Sequence, residues 1–153
     1  MGNKGFKIIW VFFVVFFNCT RSYAQKGEDI VGTWISDQRN VMVDIYADSS
    51  FFKAKVIWFN DADDLAHPMH VRTDTRNPDK SLRNRLVIGM DVLHGLKFDA
   101  KCDCWENGKI YDVLTGRTWN ATISLDNINR LKVRGFWHYE FIGRSMYFRR
   151  VKY

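Results

Sequence analysis

Alternation with a period of two is the feature that most limits what this chain can become. Val41, Val43 and Ile45 fall on one face of an extended run, with Asp44 and Tyr46 on the other. Phe52, Ala54, Val56 and Trp58 share a face while Lys53 and Lys55 point away from it. Trp119, Ala121, Ile123 and Leu125 likewise oppose Thr118, Asn120, Thr122 and Ser124. Successive side chains of a strand leave on opposite sides, whereas a helix would need apolar residues every three or four positions. Further strands are expected near 31–37, 86–90, 97–103, 108–114, 130–137 and 144–151, and no stretch after residue 25 carries three turns of helical pattern. Asp48-Ser49-Ser50, Glu106-Asn107-Gly108 and Asp126-Asn127-Ile128-Asn129 supply residues that tolerate tight turns. About nine short strands predict an all-β fold: a single antiparallel barrel of eight to ten strands, with a two-sheet sandwich as the alternative. The 12 Phe, 6 Trp and 6 Tyr residues are ample for its core and exclude disorder. At 153 residues the chain is one domain, too short for a TIM barrel or a two-domain dinucleotide enzyme.

Residues 1–24 follow another pattern. Lys4 and Lys7 precede an unbroken apolar run from Ile8 to Phe17, and Ser22-Tyr23-Ala24 puts small residues where a signal peptidase reads. Ten apolar residues make a helix of roughly 15 Å, about half the hydrocarbon thickness, so no integral membrane anchor is expected. The expected organisation is a cleaved signal peptide over 1–24 and one domain over 25–153, periplasmic or secreted. The rival is lipidation at Cys19, where Phe16-Phe17-Asn18 makes a poor approach to the cysteine. Loss of Lys4, Lys7 and Arg21 lowers the formal charge from +6 to +3, too balanced for a nucleic-acid binder.

Gly32-Thr33-Trp34 in the first strand and Arg149-Arg150 in the last resemble the calycin arrangement of lipocalins and fatty-acid-binding proteins. There a Gly-x-Trp packs at the barrel base beneath a late arginine, which gains cation–π attraction and caps carbonyls. Gly32, Trp34, Arg149 and Arg150 are therefore candidates for structural closure. More specifically, the chain resembles DUF2147, a family of exported bacterial proteins of unknown function with a lipocalin-like barrel. The matching residues run in order from Gly32-Thr33-Trp34 through Asp74-Thr75-Arg76-Asn77-Pro78-Asp79, Leu82-Arg83-Asn84-Arg85, Gly89 and Leu93-His94-Gly95-Leu96. They continue through Trp105-Glu106-Asn107-Gly108-Lys109-Ile110-Tyr111-Asp112, Thr115-Gly116-Arg117-Thr118-Trp119, Leu131-Lys132-Val133-Arg134-Gly135 and Gly143-Arg144-Ser145. Val113, where relatives often have proline, and Cys102-Asp103-Cys104 depart from the pattern. The resemblance implies a fold and supplies no activity.

Four groups of residues are candidates for chemistry. A barrel this size can hold a small apolar ligand, with Trp34, Trp105, Tyr111 and Trp119 among its lining, or Trp34, Phe52, Trp58, Trp105, Trp119, Phe136 and Trp137 can simply fill it. Asn60 to Arg85 is a 26-residue polar segment, long for a structureless loop in a compact domain. Within it Asp74, Asn77, Asp79 and Arg83, with Arg85, could form a polar site at the barrel mouth or a loop pinned by its own caps and ion pairs. Asp79 and Ser81 to Arg83 are positioned to open a helical turn. Asp61, Asp63, Asp64, His67 and His70 form an oxygen and nitrogen cluster, but Pro68 and the lack of an HExxH or EF-hand spacing make a solvated loop the expectation, with no metal. Cys102 and Cys104, two residues apart, would lie about 6.5 Å apart on a regular strand, so a disulfide needs a kink there; a Cu(I) pair and two idle thiols are the alternatives. There is no GxSxG elbow, phosphate loop or CxxC motif, and no cofactor is implied.

These residues point to an exported barrel that binds a small, partly apolar molecule. The alternatives are an envelope protein-interaction module with a filled barrel, whose 60–85 loop meets its partner, and a metal-dependent or hydrolytic enzyme. The enzyme would require His67, His70, His94 or His138 to converge with carboxylates.

Overall fold

The computed structural model describes residues 27–152; the proposed leader, Cys19 and the cleavage site before Gln25 lie outside them. Eight strands close into one antiparallel barrel: β1 (Gly32–Ser36), β2 (Val41–Asp48), β3 (Phe51–Phe59), β4 (Asp91–Asp99), β5 (Cys104–Asp112), β6 (Arg117–Asn127), β7 (Arg130–Phe136) and β8 (Gly143–Arg150). Each pairs with the next, and β8 returns to β1 through Trp34 opposite Arg150 and Ser36 opposite Phe148, so no edge is left unpaired. Among the described residues no helix is long and apolar enough to cross a membrane.

Two expected strands are redistributed. Residues 86–90 are not a strand; Leu86 makes one isolated bridge to Thr73, and β4 begins at Asp91. The strand expected over 97–103 ends at Asp99, with a turn over 100–103. Glu106-Asn107-Gly108 is a bulge inside β5, and the ladder to β6 slips between Trp105 and Gly108. Asn107 takes a positive φ of 62°, and a Cβ on Gly108 would sit 2.6 Å from Leu96 Cδ1. The same Asn-Gly chemistry suits a hairpin or a bulge; which forms depends on which strand lies opposite. The turns at Ser49-Ser50 and Ile128-Asn129 stand where expected.

A second bulge turns Trp58 away from the core. Met42 pairs with Trp58 but Val43 pairs with Val56, so Ile57 is the extra residue. Trp58 therefore shares the outer face with Met42, and Phe59 packs inward instead. Of the rings expected to fill the barrel, Trp34, Phe52 and Trp105 do so, while Trp137 is exposed and Phe136 stands opposite outward-facing Asn120.

The up-and-down order gives the barrel two distinct ends. At the lower end lie the hairpins β2–β3, β4–β5 and β6–β7 and the 3-10 turn Glu28–Ile30, with Ile30 fully buried beneath the barrel. Trp34 Nε1 donates to Ile30 O at 2.8 Å and Trp105 Nε1 to Gly27 O at 2.9 Å, so both indoles are buried with their donors satisfied. Leu96, Ile123 and Leu131 complete a dense floor. At the upper end lie the connections 37–40, 60–90, 113–116 and 137–142. There Val87 and Met90 pack with Val56 and Val92 in a second apolar cluster that also takes in Tyr111 and Val113, fastening the long connection over the β3–β5 rim.

Candidate functional site

At the closed base the guanidinium of Arg150 lies 4.3 Å from the centre of the Trp34 ring and donates to Val31 O at 2.7 Å, Ile128 O at 2.8 Å and Asp29 O. Gly32, at φ 125°, leaves room for it: a Cβ there would meet the Arg150 guanidinium at 3.0 Å. Burial lowers the Arg150 pKa below its ordinary value. Its neighbour on the strand faces the other way: Arg149 Nε donates to Asp37 at 2.8 Å on the outer surface. Of the two arginines, Arg150 covers the base and Arg149 does not. Ile30 and Arg150 both pack against Trp34 at that end.

At the upper end the long connection is locked by one buried carboxylate. Asp74 is 0% exposed, yet its oxygens accept from Asn77 Nδ2 at 2.7 Å, Tyr111 OH at 2.7 Å and Arg85 Nη2 at 3.0 Å. A buried charge is tolerated only when paired and hydrogen-bonded in this way. Burial, then donation to Asp74, pushes the Tyr111 hydroxyl up to about 12. Asn77 relays the lock, its Oδ1 accepting from Asp79 N at 2.9 Å and its carbonyl from Arg83 Nε at 2.8 Å. Asp79 caps the 3-10 turn Lys80–Leu82 through Ser81 N and Oγ, and the Ser81 bonds hold its carboxyl below the usual range. Gly116, at φ 69°, is pressed against the same loop: a Cβ there would stand 2.1 Å from Arg76 O. Thus Asp74, Asn77, Arg85 and Tyr111 come together, with Asp79 and Arg83 one contact away, while Trp34 and Trp105 lie in the opposite floor.

The acidic stretch is tied down separately. Arg72 donates to Asp63 Oδ1 at 2.9 Å, His67 O at 2.9 Å and Asp64 O at 3.0 Å, and its guanidinium faces the Phe59 ring at 5.3 Å. Asp64 Oδ2 pairs with His67 Nδ1 at 2.8 Å, and Asp61 accepts from Met69 N at 2.7 Å. The Arg72 and His67 contacts hold the Asp63 and Asp64 carboxyls below their ordinary range. Among the described residues no histidine joins a group of three close candidate metal ligands; the one such group is Cys102, Cys104 and Glu106. Its sulfurs are joined as a disulfide with the Cα atoms 5.2 Å apart. The kink that the pairing required is present, because β4 has already ended and Asp103 adopts φ 54° in a turn. His94 stands opposite Lys109 on the outer face of the barrel and His138 meets the Trp137 ring edge-on, so the histidines do not converge.

Two clefts lie at the upper end of β6, beside Trp137 of the following connection. Arg117, Trp119 and Trp137 line a cleft of about 530 Å³. Lys109, Thr118 and Asn120, on the outer face of β5 and β6, line a second one of about 440 Å³ with Trp137 and His138. Trp119 and Trp137 meet edge to face, with ring centres 5.6 Å apart. Inward positions can be read from the ladder. A Cβ on Gly135 of β7 would meet Ile110 Cγ2 of β5 at 3.9 Å and Trp119 Cβ at 4.0 Å, contacts that exist only inside the barrel. Arg144 pairs with Gly135 and Met146 with Val133, so both point inward. Yet Met146 is 41% exposed, whereas Val133 opposite it is buried. Trp137 and Arg144 were not identifiable as mouth residues from sequence; the Gly135–Arg144 register alone reveals the latter.

Residues 32–150 match the family described as uncharacterized protein conserved in bacteria, DUF2147. No curated protein matches the chain. Among solved structures, protein HP1028 of Helicobacter pylori, described as belonging to the lipocalin family, is similar with a TM-score of 0.67. The match is at 19% identity and covers 80% of this chain and 82% of that one, a likeness of fold. The arginine-covered Gly-x-Trp base, the Asp74-centred loop lock and the closed barrel all fall within the matched span, and the chain belongs to the DUF2147 family, built on a lipocalin-like eight-stranded barrel.

Proposed function

We propose that the protein is an exported barrel that binds a small, partly apolar molecule in its upper half. The observation that carries this reading is Met146: an inward side chain of a closed barrel that keeps 41% of its surface exposed must face an opening. Trp119 and Trp137 stand beside that opening and offer apolar and edge-to-face contacts. Export is supported by the Lys4, Lys7, Ile8–Phe17 and Ser22-Tyr23-Ala24 pattern and by a disulfide suited to an oxidising compartment.

Native mass spectrometry of the protein purified from its own envelope fraction tests both parts. A stoichiometric adduct lost on denaturation, on a chain beginning at Gln25, is the expected result. An unliganded mass that takes up no amphiphile from a panel would sink the binding reading. A lipidated Cys19 would replace cleavage at Gln25 with membrane anchoring. A second reading has its own observation: Leu65, Val71, Leu82 and Leu86 of the long connection are all exposed, Leu65 at 83%. Crosslinking from that connection to an envelope protein, with an empty barrel, would favour an interaction module.

A further inference from the structure

We infer that the mouth is built for an amphiphile with an anionic head, a carboxylate or phosphate held by Arg117 and Arg144 with the apolar portion lying over Trp119 and Met146; this rests on the binding reading above. Arg117 extends the inward row of β6, two residues above Trp119, and Arg144 extends the inward row of β8, two residues above Met146. Both are exposed, and among the described residues neither has an acidic partner. That is unusual company for this chain, whose other arginines are largely engaged: Arg72 with Asp63, Arg85 with Asp74, Arg130 and Arg149 with Asp37, and Arg134 with Glu140 O.

Of the acids nearest the mouth, Asp112 and Asp74 are engaged by hydrogen bonds in their own turn and loop, and Glu140 is not. Asp112 stands opposite Arg117 in the ladder, but its carboxylate accepts from Leu114 N at 2.9 Å and Thr115 Oγ1 at 2.6 Å and so serves its own turn. Asp74 is buried with three donors. Glu140, in the connection above, makes no ion pair among the described residues. Arg76, whose carbonyl abuts Gly116, adds a further unpaired cation to the same rim. With Arg76, Arg117 and Arg144 set against the carboxylates of Asp112 and Glu140, the rim keeps a small excess of positive charge, which draws anions to the opening.

Strand spacing puts the Arg117 and Arg144 Cα atoms at most roughly 16 Å apart, a gap two extended arginines can close to the width of one oxyanion. Arginine's planar fork matches carboxylate and phosphate oxygens. Gly135, directly opposite Arg144, places no side chain of its own between that arginine and Trp119; Ile110 Cγ2 and Trp119 Cβ border the spot at 3.9 and 4.0 Å from where a Cβ would stand. The floor below is apolar: Ile110, Ala121 and Val133. An anion above an apolar, aromatic wall is the complement of an amphiphile with a single charged end.

The test uses the mature chain, 25–153, with intrinsic tryptophan fluorescence and calorimetry at monomeric ligand concentrations. The probes are dodecanoate, dodecyl phosphate, dodecanol, dodecyltrimethylammonium, acetate and inorganic phosphate. Dodecanoate or dodecyl phosphate should bind about tenfold or more tighter than dodecanol, and the cationic amphiphile more weakly than either. Arg117→Gln and Arg144→Gln should each remove about tenfold of the anion's advantage while dodecanol binding stays constant; Gly135→Val should weaken all the chain-bearing probes. The ratio of dodecanoate to dodecyl phosphate distinguishes a fatty-acid source from a phospholipid one. Equal affinity for dodecanol and both anions, or arginine variants that change nothing, would overturn the anionic-head inference and leave the binding barrel standing. No binding of any dodecyl probe by a folded protein would overturn both. Tight binding of acetate or phosphate alone would make the site a plain anion site and overturn the amphiphile.

Discussion

Replacing Tyr111 by phenylalanine removes one oxygen and leaves the ring that packs against the second apolar cluster. The carboxylate of Asp74 then keeps Asn77 Nδ2 and Arg85 but loses its 2.7 Å phenolic donor in a site with no exposed surface. A hydrogen bond to a charged group is worth about 1.5–3 kcal/mol, and burial prevents water from taking the vacated place. For a domain of this size, about 4 °C of melting temperature accompanies each kcal/mol, so Tyr111→Phe should melt roughly 6–12 °C lower. Asp74→Ala should cost more, about 3–5 kcal/mol, because it strands Asn77 and Tyr111 as well as Arg85. Urea unfolding followed by circular dichroism at constant m gives each value, and the double variant closes a cycle. A coupling below about 0.5 kcal/mol between Tyr111 and Asp74 would refute the claim that this carboxylate locks the loop. Loss of ligand binding at unchanged stability would instead move both residues from loop lock to ligand site.

Raising the pH should act through the same bond. Tyr111 has a folded pKa of about 12, above its ordinary value of 10.0, so its contribution is complete below pH 10. It declines between about pH 10 and 12; an alkaline unfolding series should show that decline in the native chain and less of it in Tyr111→Phe. Arg150→Ala, which uncovers Trp34 and deprives three carbonyls of a donor, should cost about 3–5 kcal/mol, and Arg149→Ala, an exposed partner of Asp37, about 0–1 kcal/mol; similar losses would contradict the assignment of Arg150 to the base. Gly116→Ala combines a φ of 69° with a Cβ driven into Arg76 O and should cost about 2 kcal/mol or more in urea melts; a silent substitution would mean the loop does not press on that turn. Alkylation before and after reduction should tag Cys102 and Cys104 only after it. Reduction should cost no more than about 1.5 kcal/mol, since the bridged loop is very short.

Much of the barrel is legible in the chain because strand formation is local. The alternation in 41–46, 52–56 and 118–125 corresponds to β2, β3 and β6, and Ser49-Ser50 and Ile128-Asn129 turn where their chemistry allows. Legibility fails at the bulges. Asn107-Gly108 looks like a hairpin, and Trp58 looks like core, until pairing across the sheet determines that one residue must be skipped. The motif around Asp74 could be recognised as a polar unit, but its partner Tyr111 lies 37 positions away and its closeness is a property of the folded chain. Arg144 carried no signal as a mouth residue, since its direction follows from Gly135 opposite it.

The amino-acid sequence by itself determined the all-β class, the family and the cap at Asp79, because period, turn chemistry and ordered motifs act over a few neighbouring residues. Only the tertiary structure decided how many strands close the barrel, which of Arg149 and Arg150 covers Trp34, how one buried carboxylate gathers the long loop, and which side chains face the opening. Those outcomes depend on register, and register is set by the collective burial of an entire face against strands distant in the chain.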